Sequence, residues 1–291
     1  MHRFVLHNDT ILDGSEPCLS PGQIGLMTGW GVFSTIRVSS GVLFEFPRHY
    51  RRMRRDAELM HVPFSDSADE LEQLLLRLVE ANGAPNCTLR VNVIRNNGGV
   101  FHVPQARAYD IVAFTAELAN WGDSVRLGVI QQARHAQNVY AGTKVTSWGF
   151  NLTWYEQAHR DGFDEVLLLD ESGYVSECTS ANVFAVFGNE VRTPPLSCGC
   201  LPGITRELLL TEISCPPIVV VEKTLTLADL ERADGIFVTS TTRDLLPVQS
   251  VQGILVKSSV SAMNDLSGAF QRHIVQYVSR NSNLAGVHDL P

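Results

Sequence analysis

Three short runs of almost entirely apolar residues constrain the fold of this chain more than any other feature. They span Val166–Leu169, Val183–Phe187 and Ile236–Val238, and turn or helix signals separate them. Strands that are buried on both faces have this composition, whereas a strand with one face in water alternates apolar and polar residues. Apolar-periodic segments that begin at Gly203 and Thr226 predict two helices between the second and third runs. The second half of the chain is therefore expected to contain buried strands and helices.

The first third of the chain has the pattern of a smaller mixed α/β domain. Val32–Val38 and Val42–Phe44 flank the turn residues Ser39-Ser40-Gly41, which predicts a β-hairpin. Ser67-Ala68-Asp69-Glu70 has the capping-box pattern and precedes leucines at helical spacing, which predicts a helix. The other elements predicted here are a helix from Pro47 to about Met60 and strands at Phe4–Leu6, Thr10–Leu12, Thr88–Ile94 and Asp110–Phe114.

A run of turn-forming residues, Ala119-Asn120-Trp121-Gly122-Asp123, interrupts the periodicity and predicts a linker. We expect a small N-terminal α/β domain over residues 1–118, the linker over 119–123 and a larger domain over 124–291, in an α+β fold. The larger domain is predicted to contain a strand at Val125–Ile130 and a helix from Ser147 to about His159, with Phe150, Trp154 and Ala158 on one face. Apolar residues at helical spacing from Val260 to Tyr277 predict a C-terminal helix.

Charge and cysteine usage disfavour several kinds of partner. The net charge of −8 argues against nucleic acid or an anionic membrane, and no apolar run reaches membrane-spanning length. The six cysteines form no C-x-x-C pair, and Cys198-Gly199-Cys200 is too tight for a standard zinc site, so no metal is expected. A cytoplasmic protein with reduced thiols is the expectation.

Lysine is rare in this chain, which limits the choice for any chemistry that needs an amine. Lys144, Lys223 and Lys257 are its three lysines, and Lys144 lies between the small-residue turn Ala141-Gly142-Thr143 and the helix predicted from Ser147. A lysine that forms an imine must reach a cleft and be partly unprotonated. Each of the three is, by its residue type alone, more often a solvated surface residue.

Two further segments have the composition of an anion site. Leu201-Pro202-Gly203-Ile204-Thr205-Arg206 places a proline and a glycine just ahead of a helix, whose exposed N-terminal amides attract an anion. Thr239-Ser240-Thr241-Thr242 offers hydroxyls and amides at the end of a buried strand. An ordinary loop-to-helix turn and a plain Ser/Thr turn explain these segments equally well in isolation.

Gly142-Thr143-Lys144, the block from Glu177 to Phe184, and Leu201–Arg206 together resemble the class IV (fold type IV) pyridoxal-phosphate enzymes. This family contains branched-chain and D-amino-acid aminotransferases and aminodeoxychorismate lyase. The resemblance implies a two-domain α+β fold, in which the larger domain has a mixed, β-barrel-like core. It also implies pyridoxal 5'-phosphate (PLP) as cofactor and a homodimer.

The resemblance implies a role for each matching residue. Lys144 forms the internal aldimine with PLP and moves the proton between the substrate Cα and the cofactor. Glu177 pairs with the pyridine nitrogen, where a carboxylate keeps the ring protonated and able to draw off charge. The phosphate contacts fall on Ile204, Thr205, Ser240 and Thr241, and on Arg52 within the H-x-x-R helix, among arginines expected to form a solvated face.

The same resemblance implies a substrate side built from Phe33, Arg37, Arg90 and Thr242. A guanidinium suits a carboxylate because it donates two parallel hydrogen bonds. Arg90 lies in Leu89-Arg90-Val91, which matches the strand where some members hold a carboxylate-binding arginine, and Arg37 is the weaker choice. Either arginine fits a structural ion pair equally well.

Several positions depart from the family pattern. The usual G-D-G-x-F-E signature is Gly29-Trp30-Gly31-Val32-Phe33-Ser34 here, so both acids are missing. Thr88 and Trp148 stand where branched-chain enzymes commonly have tyrosine, and Arg243 adds a cation that we expect near the mouth of the site. These changes leave the cofactor residues intact and leave the substrate open.

The expected function is therefore a PLP-dependent aminotransferase that moves an amino group from a branched-chain or related L-amino acid to 2-oxoglutarate. The alternative is aminodeoxychorismate lyase, although its usual segment after the lysine differs from Lys144-Val145-Thr146-Ser147-Trp148. A D-amino-acid or amine transaminase is a third possibility, and a binder without turnover is disfavoured by the presence of both Lys144 and Glu177.

Overall fold

A computed structural model describes residues 1–99, 106–256 and 260–285, which separate into two compact units. The first unit comprises Met1–Ala119, Thr143–Trp148 and the described residues from Ile274 onward, and the second comprises Asn120–Gly142 and Gly149–His273. The division predicted at residues 119–123 stays a prediction, and the structure adds that Thr143–Trp148 groups with the N-terminal residues. No helix among the described residues is long and apolar enough to cross a membrane.

The described part of the first unit contains one six-stranded antiparallel sheet. Its strands are β1 (Phe4–His7), β2 (Thr10–Asp13), β3 (Gly31–Ser39), β4 (Val42–Leu43), β5 (Cys87–Arg95) and β6 (Tyr109–Ala116). Their spatial order is β2-β1-β6-β5-β3-β4, and β3 and β4 form the predicted hairpin. Alternate side chains of β3 and β5 face opposite sides of the sheet, so one face carries the core residues Ile36, Val38, Leu89 and Val91.

Three helices belong to this unit: α1 (Ile24–Thr28), α2 (Phe46–Leu59) and α3 (Ala68–Ala81). The predicted capping box is confirmed, because the Ser67 hydroxyl accepts from the Glu70 amide and the Glu70 carboxylate accepts from the Ser67 amide. Met53 of α2 and Leu75 of α3 are buried in the same core as the sheet. The apolar residues whose spacing predicted these helices are therefore the residues that pack in the core.

The second unit contains a mixed sheet. Its described strands are β7 (Val125–Arg134), β8 (Glu165–Asp170), β9 (Val175–Cys178), β10 (Asn182–Phe187), β11 (Glu190–Thr193), β12 (Val219–Glu222), β13 (Gly235–Ser240), β14 (Asp244–Val251) and β15 (Ile254–Leu255). The spatial order is β12-β11-β10-β13-β14-β7-β8-β9, and β15 pairs with β14. The β11–β12, β14–β7 and β7–β8 pairs are parallel, and the other pairs are antiparallel.

The strands predicted to be buried on both faces are buried in this way. In β10, Val183 and Ala185 belong to one core cluster, whereas Phe184 and Val186 belong to another. Phe184 lies opposite Phe237 of β13, and their rings stack with centroids 4.9 Å apart. A side-chain period of two sends neighbours to opposite faces, so a strand covered on both faces needs apolar residues throughout.

The helices that begin in this unit are α4 (Gly149–Arg160), α5 (Ile204–Thr211), α6 (Leu227–Arg232) and α7 (Ser261–Ala285). Leu209 of α5 and Leu266 of α7 pack in the cluster that holds Phe184. The face predicted for α4 is only partly correct: Ala158 is buried and Trp154 packs beside it, but Phe150 is exposed.

Candidate active site

The Lys144 segment pairs with the edge of β3 through an isolated β-bridge. The Phe33 amide donates to the Lys144 carbonyl at 3.0 Å, and the Thr146 amide donates to the Gly31 carbonyl at 2.9 Å. Val145 forms an antiparallel bridge with Val32 between these two bonds. β4 pairs only with the far end of β3, so this part of the strand edge is available to the Lys144 segment.

A buried carboxylate holds the same lysine from the other direction. Asp56, near the end of α2, is 1% exposed and accepts the Lys144 backbone N–H through Oδ2 at 3.0 Å. The Lys144 peptide is therefore fixed through its carbonyl by β3 and through its amide by α2. The side chain that leaves this backbone is half-buried.

The Phe33 ring lies beside two cations of this unit. The Lys144 Nζ is 4.6 Å from the ring centroid, and the Arg90 guanidinium carbon is 3.8 Å from it. Trp148 meets the same ring edge-on, with centroids 6.3 Å apart. Burial lowers the pKa of Arg90, whose Nε donates to Asn92 at 3.3 Å.

Arg37 shares this face of the sheet. Thr35 lies opposite Arg90 and Arg37 lies opposite Thr88, and paired residues of neighbouring strands point to the same side. Three of the residues that the resemblance assigns to the substrate, Phe33, Arg37 and Arg90, are thus brought to one surface.

The opposite face of β3 carries a buried polar cluster. The Ser34 hydroxyl lies 2.8 Å from His49 Nδ1 and accepts from Arg52 Nη2 at 3.0 Å. Burial lowers the pKa of His49 well below 6.5, and the positive charges of Arg52 and Lys144 act in the same direction. Ser34 stands at a position where the family signature has an acid, so a neutral hydroxyl joins a neutral imidazole to Arg52 here.

Three of the four arginines around Arg52 are solvated as the sequence predicts, and Arg48 is not. Arg52 is buried, whereas Arg51, Arg54 and Arg55 are exposed. Arg48 is half-buried and pairs with Glu45 at 3.0 Å. α2 therefore buries one guanidinium of this basic run against Ser34 of β3.

In the second unit, Glu177 is a buried carboxylate with two donors. Arg134 Nε donates to Oε1 at 3.1 Å, and the Leu201 amide donates to Oε2 at 3.0 Å. Arg134 is in turn held by Asn151 Oδ1, at 3.2 and 3.3 Å from its two terminal nitrogens. Asn151 also donates to the Thr179 carbonyl at 3.1 Å.

Arg134 and Asn151 are contacts that the sequence interpretation missed. They lie on β7 and α4, far along the chain from Glu177, and no local motif marks either residue. These donors hold both oxygens of the Glu177 carboxylate in place.

The helix predicted at Gly203 begins at Ile204, with Gly203 as its N-cap and no side chain capping its amides. Ile204 and Thr205 are buried, so the uncapped amides lie beside buried side chains. Gly203 itself approaches Asn182 closely, because a Cβ atom at position 203 would lie 2.0 Å from Asn182 Oδ1. A helix N-terminus without an N-cap side chain, and without room for one at position 203, suits an anion.

The Ser240–Arg243 segment forms the turn between β13 and β14. Ser240, Thr241 and Thr242 are half-buried, and the Arg243 amide donates to Ser240 Oγ at 3.1 Å. Among the described residues, the buried hydroxyl of Thr239 has no hydrogen-bond partner. The turn therefore presents several hydroxyls at the end of a buried strand, as predicted.

The expectation for Arg243 is wrong. Its guanidinium is not an open cation near a site mouth, because the side chain is 2% exposed and donates to Glu165 Oε2 at 3.0 Å. Its guanidinium carbon also lies 3.7 Å from the centroid of the Trp121 ring.

The other two lysines have different settings. Lys223 is 53% exposed and pairs with Glu190 at 3.0 Å, an ordinary surface ion pair. Lys257 lies outside the described residues.

Comparison with known proteins gives the family. The sequence profile of amino-transferase class IV matches residues 31–251. A putative branched-chain-amino-acid aminotransferase of Methanocaldococcus jannaschii is 28% identical over 255 residues, which cover 86% of this chain and 88% of the relative. The D-alanine aminotransferase of Bacillus licheniformis is 28% identical over 263 residues, which cover 87% of this chain and 90% of the relative.

Solved structures agree on the fold. A branched-chain amino acid aminotransferase of Escherichia coli matches with a TM-score of 0.87 and 24% identity, over 94% of this chain and 95% of that one. A putative 4-amino-4-deoxychorismate lyase of Legionella pneumophila matches with a TM-score of 0.83 and 23% identity, over 89% and 96%. Because the profile spans most of its length, this chain belongs to the class IV aminotransferase family, and it is a PLP-dependent transaminase with the α+β architecture of fold type IV.

Proposed function

We propose that this transaminase moves the amino group of a branched-chain or related L-amino acid to 2-oxoglutarate, and that Lys144 is the residue that attaches PLP. The observation that carries the choice of lysine is the double anchoring of its backbone by β3 and by Asp56. A reactive group has to be held close to one geometry, and Lys144 has this support. Lys223, by contrast, is an exposed partner of Glu190.

The residues of each unit fit the chemistry of PLP. Glu177 has accepted one bond on each oxygen and retains acceptor capacity for a protonated ring nitrogen. The uncapped start of α5 at Ile204 and Thr205 and the hydroxyls of Ser240 and Thr241 suit a phosphate, and Arg52 supplies a buried cation for it. When bound, PLP supplies an electron sink for the bond that breaks at the substrate Cα.

Each of these residues then has a separate role in the reaction. Glu177 holds the proton at the pyridine nitrogen, and Arg134 holds Glu177 in place. The Lys144 Nζ would take the proton from the substrate Cα and return it on the cofactor side. Phe33 carries the Lys144 ammonium and the Arg90 guanidinium beside its ring, which limits where both can lie.

The substrate assignment depends on Arg90, Arg37, Phe33 and Thr242. Arg90 is only partly exposed and lies on the same sheet face as Arg37, so the face offers two guanidinium groups to the carboxylates of an amino acid or a 2-oxo-dicarboxylate. The segment Leu201–Arg206 and the names of several relatives support a branched-chain donor. The D-alanine aminotransferase is an equally similar relative, at 28% identity, so stereochemistry has to be measured.

We also propose that the protein works as a cytoplasmic homodimer without a nucleic-acid or membrane partner. Four large apolar side chains of the second unit, Val139, Tyr140, Phe150 and Leu152, are at least half exposed, which supports a partner surface. The six free cysteines suit a reducing compartment, and the net charge of −8 disfavours polyanions. Light scattering on the purified protein tests the dimer.

A donor panel tests the reaction. Purified protein is incubated with 2-oxoglutarate and with L-leucine, L-valine, L-isoleucine, D-leucine or D-alanine, and glutamate is measured together with its chirality. We expect L-glutamate from the branched-chain L-amino acids and none from the Lys144→Ala variant. Transamination of the D-amino acids alone contradicts the proposed donor, and pyruvate from aminodeoxychorismate without any transamination assigns the lyase reaction instead.

A further inference from the structure

A fully buried ion pair lies beside the proposed cofactor residues of the second unit. Glu165 is the first residue of β8 and is 0% exposed, and Arg243 follows the turn after β13 and is 2% exposed at its side chain. Their charged groups meet at 3.0 Å. Burying two charges is costly, and such a pair is kept where it fixes one arrangement of the segments that it joins.

On one side the pair holds the turn that follows Glu177. Arg243 Nη1 donates to the Ser180 carbonyl at 3.1 Å and to Ser180 Oγ at 2.8 Å, and Ser180 Oγ donates to Glu165 Oε2 at 2.7 Å. The Thr179 hydroxyl donates to the other oxygen of Glu165. Both residues of the turn are therefore bound to the pair through their side chains.

On the other side Arg243 directly follows the Thr241-Thr242 turn in the chain. The Arg243 amide donates to Ser240 Oγ at 3.1 Å, which closes the turn from its far end. The guanidinium cannot swing away, because it lies 3.7 Å from the Trp121 ring centroid and is bound to Ser180 and Glu165. Arg243, which directly follows the proposed phosphate contacts, is therefore held in one buried position.

We propose that Glu165 and Arg243 are positioning residues that hold the Thr241-Thr242 turn where it binds the phosphate group of PLP, at a fixed distance from the Glu177 segment. The proposal rests on the assignment of Thr241 to the phosphate in the proposed function. It predicts that the pair contributes to affinity for the phosphate and contributes little to affinity for the rest of the cofactor.

The test compares PLP with pyridoxal, which has the same ring and aldehyde but no phosphate. Full-length protein freed of cofactor is titrated with each compound, and dissociation constants are read from the absorbance of the bound form. A single substitution leaves a buried charge unpaired, so the main variant is the neutral double substitution Glu165→Gln with Arg243→Gln. Arg232→Gln, which removes an exposed ion pair with Asp229 in the same unit, is the matched control.

In the double variant we expect the dissociation constant for PLP to rise at least about tenfold, the equivalent of one lost hydrogen bond. The constant for pyridoxal should stay within about twofold, and the control should change neither. If the double variant does not fold, Arg243→Lys replaces it. Lysine keeps the charge but loses the fork that joins Ser180 to Glu165, so the same selective loss is expected.

Two results overturn the proposal. A folded variant whose PLP-to-pyridoxal affinity ratio equals that of the wild type shows that the pair does not act on the phosphate. Equal losses for both compounds show a general effect on the fold. The PLP-to-pyridoxal affinity ratio is also measured for Thr241→Ala and Thr205→Ala, which test the assignment of the phosphate contacts independently of the ion pair. If these two variants leave the ratio unchanged, the assignment and the proposal built on it both fall.

Discussion

The close approach of Gly203 to Asn182 gives a stability prediction that can be worked out in numbers. Gly203 has φ −69° and ψ 144°, so an alanine there meets no backbone strain. Its Cβ, however, would lie 2.0 Å from Asn182 Oδ1, and the Asn182 side chain must move. Asn182 is buried and donates from Nδ2 to the Leu201 carbonyl at 2.9 Å, a bond that this movement breaks.

The expected cost follows from that bond. Leaving a buried polar group unsatisfied costs about 1–3 kcal/mol. A glycine-to-alanine change also stabilises by about 0.4–1 kcal/mol through the unfolded chain. Alanine is a poorer N-cap than glycine by a similar amount, so these two terms nearly cancel. We therefore expect Gly203→Ala to lower the free energy of unfolding by about 1–3 kcal/mol.

A double-mutant cycle isolates this contact. Urea unfolding of cofactor-free protein is measured for the wild type, Gly203→Ala, Asn182→Ala and the double variant. Once Asn182 is truncated the clash is gone, so Gly203→Ala should then cost close to nothing. An equal cost in both backgrounds refutes the reasoning, because it shows that the collision with Asn182 is not the cause.

Three further predictions concern His49, Glu171 and Asp56. His49→Gln should remove a pH dependence of stability, because burial and Arg52 lower the pKa of His49 and the unfolded state therefore takes up the proton first below pH 6.5. In that range the free energy of unfolding of the wild type should fall relative to that of the variant by about 1.4 kcal/mol per pH unit. A constant difference between the two from pH 7 to 5 in urea unfolding contradicts this. Backbone hydrogen bonds, chiefly from Ala136, lower the pKa of Glu171 to about 2, so Glu171→Gln should be less stable than the wild type at pH 7. This difference in stability should disappear as the pH falls from 4.5 to about 2. Thermal scans measure it, and a difference that persists at low pH contradicts the prediction. Asp56→Ala should lower kcat by about 10- to 100-fold, because it releases the Lys144 amide. Asp56→Asn keeps an acceptor for this amide, so its kcat should stay within about threefold of the wild type. Steady-state kinetics that show equal losses in both variants contradict the anchoring role of Asp56.

The elements that the sequence predicted well are those with a local physical cause. The buried runs at Val183–Phe187 and Ile236–Val238 became β10 and β13, because only strands covered on both faces are apolar throughout. Ser67 and Glu70 started α3 as expected, because a capping box lies within four residues. The five-residue helix α1 was missed, since it has no capping side chain and is too short for a periodic pattern.

The supporting contacts of the site were not predictable in this way. Arg134 and Glu177 are 43 residues apart, Arg243 and Glu165 are 78 apart, and Lys144 and Asp56 are 88 apart. Such pairs come into contact only when the chain has folded, and the spacing of residues along the sequence does not indicate them. The face of α4 shows the same limit, because periodicity grouped Phe150 with Ala158 but did not show that Phe150 stays exposed.

The claim that Lys144 carries the cofactor has a direct test. Purified protein is reduced with borohydride and digested, and the peptides are analysed by mass spectrometry for a pyridoxyl-phosphate adduct. We predict one modified peptide, the one that contains Lys144, and the loss of this adduct in Lys144→Ala. An adduct on Lys223 or Lys257, or none on protein that has been saturated with PLP, would contradict the account.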